Sequence, residues 1–477
     1  MPNAMNEKRD LHADVAIIGA GTAGLAAYRA AKTAGKSVLL IETGPGGTTC
    51  ARVGCMPSKL LIAPAEAAHM VDRFPGFGLE LEGRVKVDGK AVMRRVRAER
   101  DRFVGFVTRG VNAIPADDKV QGHARFVDDS TLIVDATVTI QAKSIVIATG
   151  SSAAFPPAWK ALGDRLLTNE EVFELTDLPA SVAVFGPGVI GLELGQALHR
   201  LGVRVKVFGR GGGVGPLADP EVLRAAREIF GAEFYLDTDA RADVVRDGDE
   251  VVVSYRALDG SAQVERFSYL LAATGRSANV AGLSLERTTL SVDGRGVPHF
   301  DRTTMRCGTS SIFIAGDVDN EVPLLHEAAD EGRIAGENAA HFPDVRFGLR
   351  RAPLSVVFSD PQIAIVGGGW TAVRDTPHVT GEVLFSDQGR ARVMLRNQGV
   401  LHVFAAIDTG LFLGAEMLGP DAEHIGHLLA WALQLQLRVE QMLELPFYHP
   451  VVEEGLRTAL RDAQAKLKLA AAARHAA

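Results

Sequence analysis

One pattern occurs twice in this chain and constrains its fold more than anything else: an apolar strand, a turn punctuated by three glycines, a helical stretch and a second apolar strand. The first copy, "DVAIIGAGTAGLAAYRAAKTAGKSVLLIE", runs from Asp14 to Glu42 and carries Gly19, Gly21 and Gly24. The second, "SVAVFGPGVIGLELGQALHRLGVRVKVFGR", runs from Ser181 to Arg210 and carries Gly186, Gly188 and Gly191. In such a unit the first glycine permits the tight turn, the second lets backbone approach a pyrophosphate, and the third lets helix pack on strand. The helix N-terminus then faces the phosphate charge. A lone pattern of this kind is a weak signal. Two copies in strand–turn–helix–strand context predict an α/β chain with two Rossmann-like dinucleotide-binding domains.

The copies differ at the end of the second strand. Glu42 follows Gly24 by 18 residues, where a carboxylate accepts hydrogen bonds from ribose hydroxyls. The other copy ends Phe208-Gly209-Arg210. A carboxylate there favours a free 2′-hydroxyl and repels a 2′-phosphate, so its absence, with Arg210 beside it, leans toward NADP over NAD, the alternative being that Arg210 is only a solvated loop charge.

Two further strands, "SIVIATGS" (Ser144 to Ser151) and "YLLAATGRSAN" (Tyr269 to Asn279), both close on Ala-Thr-Gly and flank the second copy. This predicts a first domain interrupted by the second, the chain leaving near residue 150 and returning near 276. The strand of "SIFIAGDVDNEVPLLHEAADEGRIAGENAA" ends at Gly316-Asp317, and a helix carrying His326 follows from about Leu324. Asp317 is placed either to meet a ligand's hydroxyls or to cap a helix. From about residue 350, "PLSVVFSDPQIAIVG" and "GVLHVFAAIDTGLFLGAEMLG" read as sheet strands, and "EHIGHLLAWALQLQLRVEQML" reads as helical. His449 then stands before a proline, with Glu454 five residues on at a helix start.

At 477 residues the length prior is about three domains. The net charge of −7 gives no electrostatic case for nucleic acid or acidic membranes. The polar N-terminal stretch and the lack of a run near ~20 apolar residues predict no signal peptide, no membrane span and a cytoplasmic location. In that setting the three cysteines matter. Cys50 and Cys55 share the segment "GGTTCARVGCMPSK", and cytosolic thiols paired closely are more often catalytic or regulatory than structural. The alternatives are two buried apolar thiols, a coincidence of spacing, or half of a metal site, for which no second close Cys/His pair gives the spacing. Cys307 stands alone and reads as an incidental small residue.

Taken together, the glycine fingerprints, "CARVGCMPSK", both Ala-Thr-Gly strands, Gly316-Asp317 and His449-Pro450…Glu454 resemble the flavin-dependent pyridine nucleotide–disulfide oxidoreductases across nearly the whole chain. The dihydrolipoamide dehydrogenase pattern is the nearest. The resemblance implies FAD on residues 1–150 and 276–347, with Gly19, Gly21, Gly24, Glu42, Thr49, Lys59, Thr149, Gly150, Asp317 and His326 at that cofactor. It implies NAD or NADP on 151–275, with Gly186, Gly188, Gly191 and Arg210, and puts Gly275 and Arg276 among the cofactor-binding residues. It further implies an α+β dimerisation domain over 348–477 and a homodimer. Cys50 and Cys55 would form the redox-active disulfide, Cys55 next to the flavin and Cys50 exchanging with substrate. Lys59 would pair with Glu193 near the flavin. His449, oriented by Glu454 and supplied by the partner subunit, would be the base that a thiol of pKa near ~8.5 requires. Residues five apart in a regular helix lie roughly 8–9 Å apart, beyond disulfide reach, so a bonded pair requires a bend between them.

Three positions depart from the family pattern: Thr48-Thr49 before Cys50, Arg52 between the cysteines, and Val451 after His449-Pro450. The substrate expectation is therefore lipoamide, with a tie to a 2-oxo acid dehydrogenase complex, or another small disulfide reduced by NADPH. A redox-sensing flavoprotein component is the alternative from outside enzymology.

Overall fold

The computed structural model describes residues 9–476. The chain divides into two compact units, one made of the segment ending at Met56 with Ala98–Ala154 and Arg276–Arg351, the other of Pro57–Arg97, Phe155–Gly275 and the chain from Ala352.

The first unit is built on a seven-stranded sheet. Strand Arg9–Ile18 pairs in parallel with Val38–Glu42 on one side and Val138–Ile147 on the other. Val15–Ile18 and Val38–Ile41 are buried, the continuous apolar run that a parallel strand covered on both faces requires. Strand Val138–Ile147 changes partner midway. Its first half pairs antiparallel with Thr131–Val134, and its last three residues pair in parallel with Ile312–Ile314. Helices Thr22–Thr33 and Leu325–His341 cross at close range. A Cβ on Gly332 would lie 2.2 Å from the Ala23 carbonyl oxygen, and one on Gly336 2.4 Å from that of Ala27. Two glycines one turn apart therefore set the helix–helix distance.

The second unit repeats the design and adds to it. Strand Ser181–Phe185 lies between Arg204–Phe208 and Tyr269–Ala272, all in parallel, in a five-stranded sheet. Strands Ala242–Asp247, Glu250–Arg256 and Ala262–Phe267 form an antiparallel meander. From residue 354 a five-stranded antiparallel sheet follows, in the order Leu354–Val357, Gln362–Val366, Phe412–Gly419, Val400–Ala406, His378–Leu384. Helices Ala422–Gln434 and Glu454–Ala476 pack on it. The stretch from Glu423 to Leu443, expected to be helical throughout, is two helices. The first stops because Gln436 turns left-handed (φ 53°), its N–H bonding the Leu433 carbonyl while that of Leu437 bonds Ala432. This is a Schellman closure achieved without glycine, and composition gives no hint of it.

A buried histidine ties the antiparallel sheet to the nucleotide fold. His402 Nδ1 lies 2.7 Å from Asp219 Oδ2, and Nε2 lies 3.0 Å from Glu382 Oε2. Asp219 also caps helix Pro220–Glu233, accepting the N–H groups of Glu221 and Val222. Burial lowers the His402 pKa, but hydrogen bonds to Asp219 and Glu382, and their charges, raise it further. A histidine raised in the folded state gives stability that is full below its unfolded value, about 6.5, and is lost as pH rises through the folded value. His402→Gln is therefore expected to lower the thermal unfolding midpoint, by about 3 kcal/mol in stability for a broken buried pair. The gap from the parent, followed by calorimetry, should be widest below pH ~6.5 and narrow toward alkaline pH.

Candidate active site

The two glycine turns have the same construction. Gly19 and Gly186 take φ of +107° and +104°, and a Cβ on either would fall 2.3 or 2.2 Å from a carbonyl oxygen, Ala148 or Ala273. Each of those alanines opens an Ala-Thr-Gly strand end, which explains why those strands echo one another in the sequence. Gly24 and Gly191 lie with their would-be Cβ 1.8 Å from the Gly19 and Gly186 carbonyl oxygens. Around Gly21 and Gly188, in contrast, a Cβ would meet nothing within 4 Å. Both cap their helices without any side-chain cap hydrogen bond. A crowded first and third glycine with an open second is the cradle a dinucleotide pyrophosphate fits, backbone N–H groups and helix dipole facing it.

Around the first turn, Glu42 ends its strand half-buried. One carboxylate oxygen accepts the Ala20 N–H (2.7 Å), the other the N–H groups of Thr43 and Gly44 (both 2.8 Å). Asp317 opens a short 3₁₀ turn, and the capping position belongs to Gly316 instead. Its carboxylate accepts the Ser151 hydroxyl at 3.0 Å, and Arg276 Nε donates to the same hydroxyl at 2.7 Å. Thr149 Oγ1 donates to the Asn279 carbonyl, Asn279 Nδ2 returns a bond to Thr149, and the Asn279 N–H bonds Gly150. The strands leaving and re-entering this unit, Ser151–Ala153 and Arg276–Ala278, are thus antiparallel partners. His326 lies exposed in the first turn of helix Leu325–His341. Ser151 and Asn279 are site-bordering residues that motif reading passed over, although both lie inside the quoted Ala-Thr-Gly stretches.

Register locates the difference between the two copies. Ile18 pairs with Ile41 and Phe185 with Phe208, so the place of Glu42 is taken by Gly209. A Cβ there would come 2.8 Å from both the Pro187 ring and the Thr238 carbonyl oxygen. Arg210, next along, is exposed. Gly275 takes φ +123° with open space around it.

The cysteine segment is broken where a bend was expected. Cys50 lies in helix Thr49–Val53, Cys55 begins helix Cys55–His69, and Gly54 between them leaves helical geometry at φ −128°, ψ −118°. A Cβ on Gly54 would stand 3.1 Å from Cys50 Cα, so the fold-back is tight. Thr48, one of the departures, is the N-cap of the first helix: its hydroxyl accepts the Ala51 N–H at 3.3 Å. Arg52, another, folds back and donates to the Pro45 carbonyl at 3.0 Å. Thr49 and Cys55 are exposed and Cys50 half-buried. Cys307, in contrast, is fully buried, and desolvation pushes its thiol up to about 12.

Lys59, one turn after Cys55, holds both oxygens of the buried Glu193 at 2.8 Å, and its ammonium sits 4.3 Å from the centre of the Phe358 ring. The Phe358 N–H donates to the same carboxylate at 3.0 Å, a partner no sequence signal marked. His449 Nδ1 lies 3.0 Å from Glu454 Oε2. Opposite a carboxylate this nitrogen donates, which leaves Nε2 as the acceptor of a ring that is 80% exposed. Desolvation raises the Glu454 pKa, but hydrogen bonds from His449 and the Val451 amide and the Arg457 charge hold it below the ordinary value.

Residues 13–332 match the model of the pyridine nucleotide-disulphide oxidoreductase family, and residues 354–460 that of its dimerisation domain. The chain is 29% identical over 454 residues to a dihydrolipoyl dehydrogenase of Chlamydia trachomatis, covering 92% of this chain and 94% of that one. It is 32% identical over 464 residues to a mercuric reductase of Streptomyces lividans, covering 94% and 95%. Among solved structures it resembles LpdA from Mycobacterium tuberculosis (TM-score 0.79, 25% identity, 94% and 99% covered). It also shares the fold of the HOCl-induced flavoprotein disulfide reductase RclA from Escherichia coli (TM-score 0.77, 22% identity, 94% and 99% covered). With two matching dinucleotide cradles, a broken cysteine helix and these relatives, the chain belongs to the pyridine nucleotide-disulphide oxidoreductase family, whose members depend on FAD and use NAD(P)H.

Proposed function

We propose that this chain is a homodimeric dihydrolipoamide dehydrogenase-type enzyme that moves electrons between NAD(P)(H) and a small dithiol/disulfide through Cys50 and Cys55. The observation that carries the reading is the helix break at Gly54, set between two cysteines that the structure holds without a disulfide, in a chain that builds two dinucleotide cradles. Bound FAD supplies two-electron exchange between the nicotinamide and the cysteine pair. Gly19, Gly21, Gly24, Glu42, Thr149, Gly150 and Asp317 would hold it, and Gly186, Gly188 and Gly191 the nicotinamide nucleotide.

The chain's own chemistry is thiol–disulfide exchange. In the direction of disulfide reduction, the Cys50 thiolate attacks one substrate sulfur, forming a mixed disulfide and expelling a substrate thiolate. His449 of the partner subunit gives that thiolate its proton. The Cys55 thiolate then attacks the Cys50 sulfur, closing the Cys50–Cys55 disulfide and expelling the second substrate thiolate, which takes a proton from the same imidazole once solvent has reprotonated it. Two electrons leave the cysteine pair and one substrate disulfide becomes a dithiol; dithiol oxidation is the same sequence reversed. Glu454 keeps the His449 Nδ1–H engaged, so Nε2 is the atom that accepts and returns the proton. The Lys59–Glu193 pair fixes the helix that starts at Cys55.

Homodimer formation is supported by the surface of the dimerisation domain. Leu428, Trp431 (63% exposed) and Leu435 (70%) recur at helical spacing along Ala422–Gln434 and its end, and Tyr448 beside His449 is exposed too. A second reading, an NADPH-linked reductase of another small disulfide, is favoured by Gly209 standing where the first copy has Glu42.

Steady-state rates with NADH and NADPH, each against lipoamide, glutathione disulfide and no disulfide, decide between the two. Turnover of lipoamide and a preference for NADPH are expected, and a strong NADH preference would remove the case from Gly209 and Arg210. Cys50→Ser is expected to retain flavin and lose disulfide turnover; full lipoamide activity in that protein would sink the mechanism. His449→Gln should slow turnover about 10²–10⁴-fold, the usual share of a positioned acid–base group. Trp431→Arg should shift the protein toward monomer by light scattering, with turnover falling in step.

A further inference from the structure

We infer that Glu331 is a positioning residue for flavin binding: from behind the Gly316–Asp317 turn it holds the backbone that aims Asp317. The inference rests on the reading of Asp317 as a flavin-holding residue. Strand Ile312–Ile314 extends its pairing only as far as Ala315, whose N–H bonds the Ile147 carbonyl. The next N–H, that of Gly316, has left the sheet, and Glu331 Oε2 accepts it at 2.8 Å. Gly316 takes φ +80°, and a Cβ on it would lie 2.8 Å from that of Ala23, so nothing but hydrogen at this position fits the turn. The Asp319 N–H then bonds back to the Gly316 carbonyl and closes the 3₁₀ turn that presents Asp317 to Ser151.

Glu331 is 1% exposed, and a carboxyl group so buried requires a structural reason. The groups facing it are Gly316, Asp319, Arg350 and, through Arg350, Glu327 and Glu321. Arg350 Nη2 donates to Glu331 Oε1 at 2.7 Å and to Glu327 Oε2 at 2.9 Å, while Glu321 stands 3.9 Å from Arg350 Nη1. Asp319 is equally enclosed. Its Oδ1 accepts the Glu321 N–H, and its Oδ2 is a buried oxygen without a hydrogen-bond donor among the described residues. Burial, with the Asp319 charge next, pushes Glu331 up to about 8, and burial raises Asp319 as well. At neutral pH the pair therefore keeps a proton, and that proton is the donor Asp319 Oδ2 otherwise lacks. An acid raised in the folded state confers stability that is lost as pH climbs through its folded value. Above pH ~8 the second charge appears beside Asp319, and the turn loosens.

The test uses the holoenzyme and reads flavin release by fluorescence, between pH 6 and 9.5, for the parent, Glu331→Gln, Glu331→Ala and Asp317→Ala. The parent should hold flavin less tightly above pH ~8. Glu331→Ala should weaken it about tenfold or more at pH 7, the scale of a lost hydrogen bond to a buried group. Glu331→Gln keeps an oxygen for the Gly316 N–H but turns its NH2 against Arg350 Nη2, so it should hold flavin less tightly than the parent at pH 7 and, having no proton to lose, show no alkaline weakening. Parent-like affinity in Glu331→Ala across this range overturns the inference. If that protein fails to fold, an unchanged alkaline slope in Glu331→Gln overturns it instead. Parent-like affinity in Asp317→Ala would sink the reading of Asp317 by itself, which keeps the two failures apart.

Discussion

The contact on which both nucleotide cradles depend is the approach of a helix to the turn that precedes it. At Gly24 on Gly19 and at Gly191 on Gly186, a Cβ would sit 1.8 Å from a carbonyl oxygen, a distance no side chain tolerates. Because the helix comes so close, its N-terminus ends up directly above the strand ends, with the second glycine open. The helix dipole and orphan N–H groups are then aimed at one place, and a pyrophosphate is the group that satisfies them. Every other feature of the two sites, from the strand-end Glu42 to the Ala-Thr-Gly carbonyls, is arranged around that approach.

Buried charge does the second kind of work, and in each case the compensation is specific. Glu193 is buried with two bonds from Lys59 and one from the Phe358 N–H. His402 is held between Asp219 and Glu382, and Glu331 between Gly316 and Arg350. Removing one partner from such a set leaves the other uncompensated in a poorly solvating interior, which is why these groups specify geometry more than they add net stability. They stand at joints: at the helix that starts at Cys55, between the antiparallel sheet and helix Pro220–Glu233, and behind the Gly316–Asp317 turn.

The departures from the family pattern around Cys50 acquire structural reasons. Thr48 caps the five-residue helix that carries Cys50, and a glycine there would leave the Ala51 N–H without that acceptor. Arg52 closes the Pro45–Gly47 loop onto the helix. Both residues shape the segment itself, so their identity speaks first to how the cysteines are held.

Much of this was legible in one dimension because it rests on local chemistry. Glycines at fixed offsets, strands buried on both faces and a cysteine pair around Gly54 follow from backbone sterics that act within a few residues. His449 and Glu454, only five positions apart, also meet locally. What the sequence alone could not disclose depends on long-range packing. The Schellman stop at Gln436, the Phe358 N–H on Glu193 and the alignment of Gly209 with Glu42 each need a partner supplied from elsewhere in the fold. Glu331 is the sharpest instance: in the sequence it is one acid in an acidic helix, and only burial against Gly316, Asp319 and Arg350 gives it a task. The two cradles and the cysteine pair around Gly54 could be read from the chain alone, because they are set by which residues lack a side chain. Tertiary structure decided which charges are buried and what they hold, because desolvation is a property of the packed interior and not of the chain.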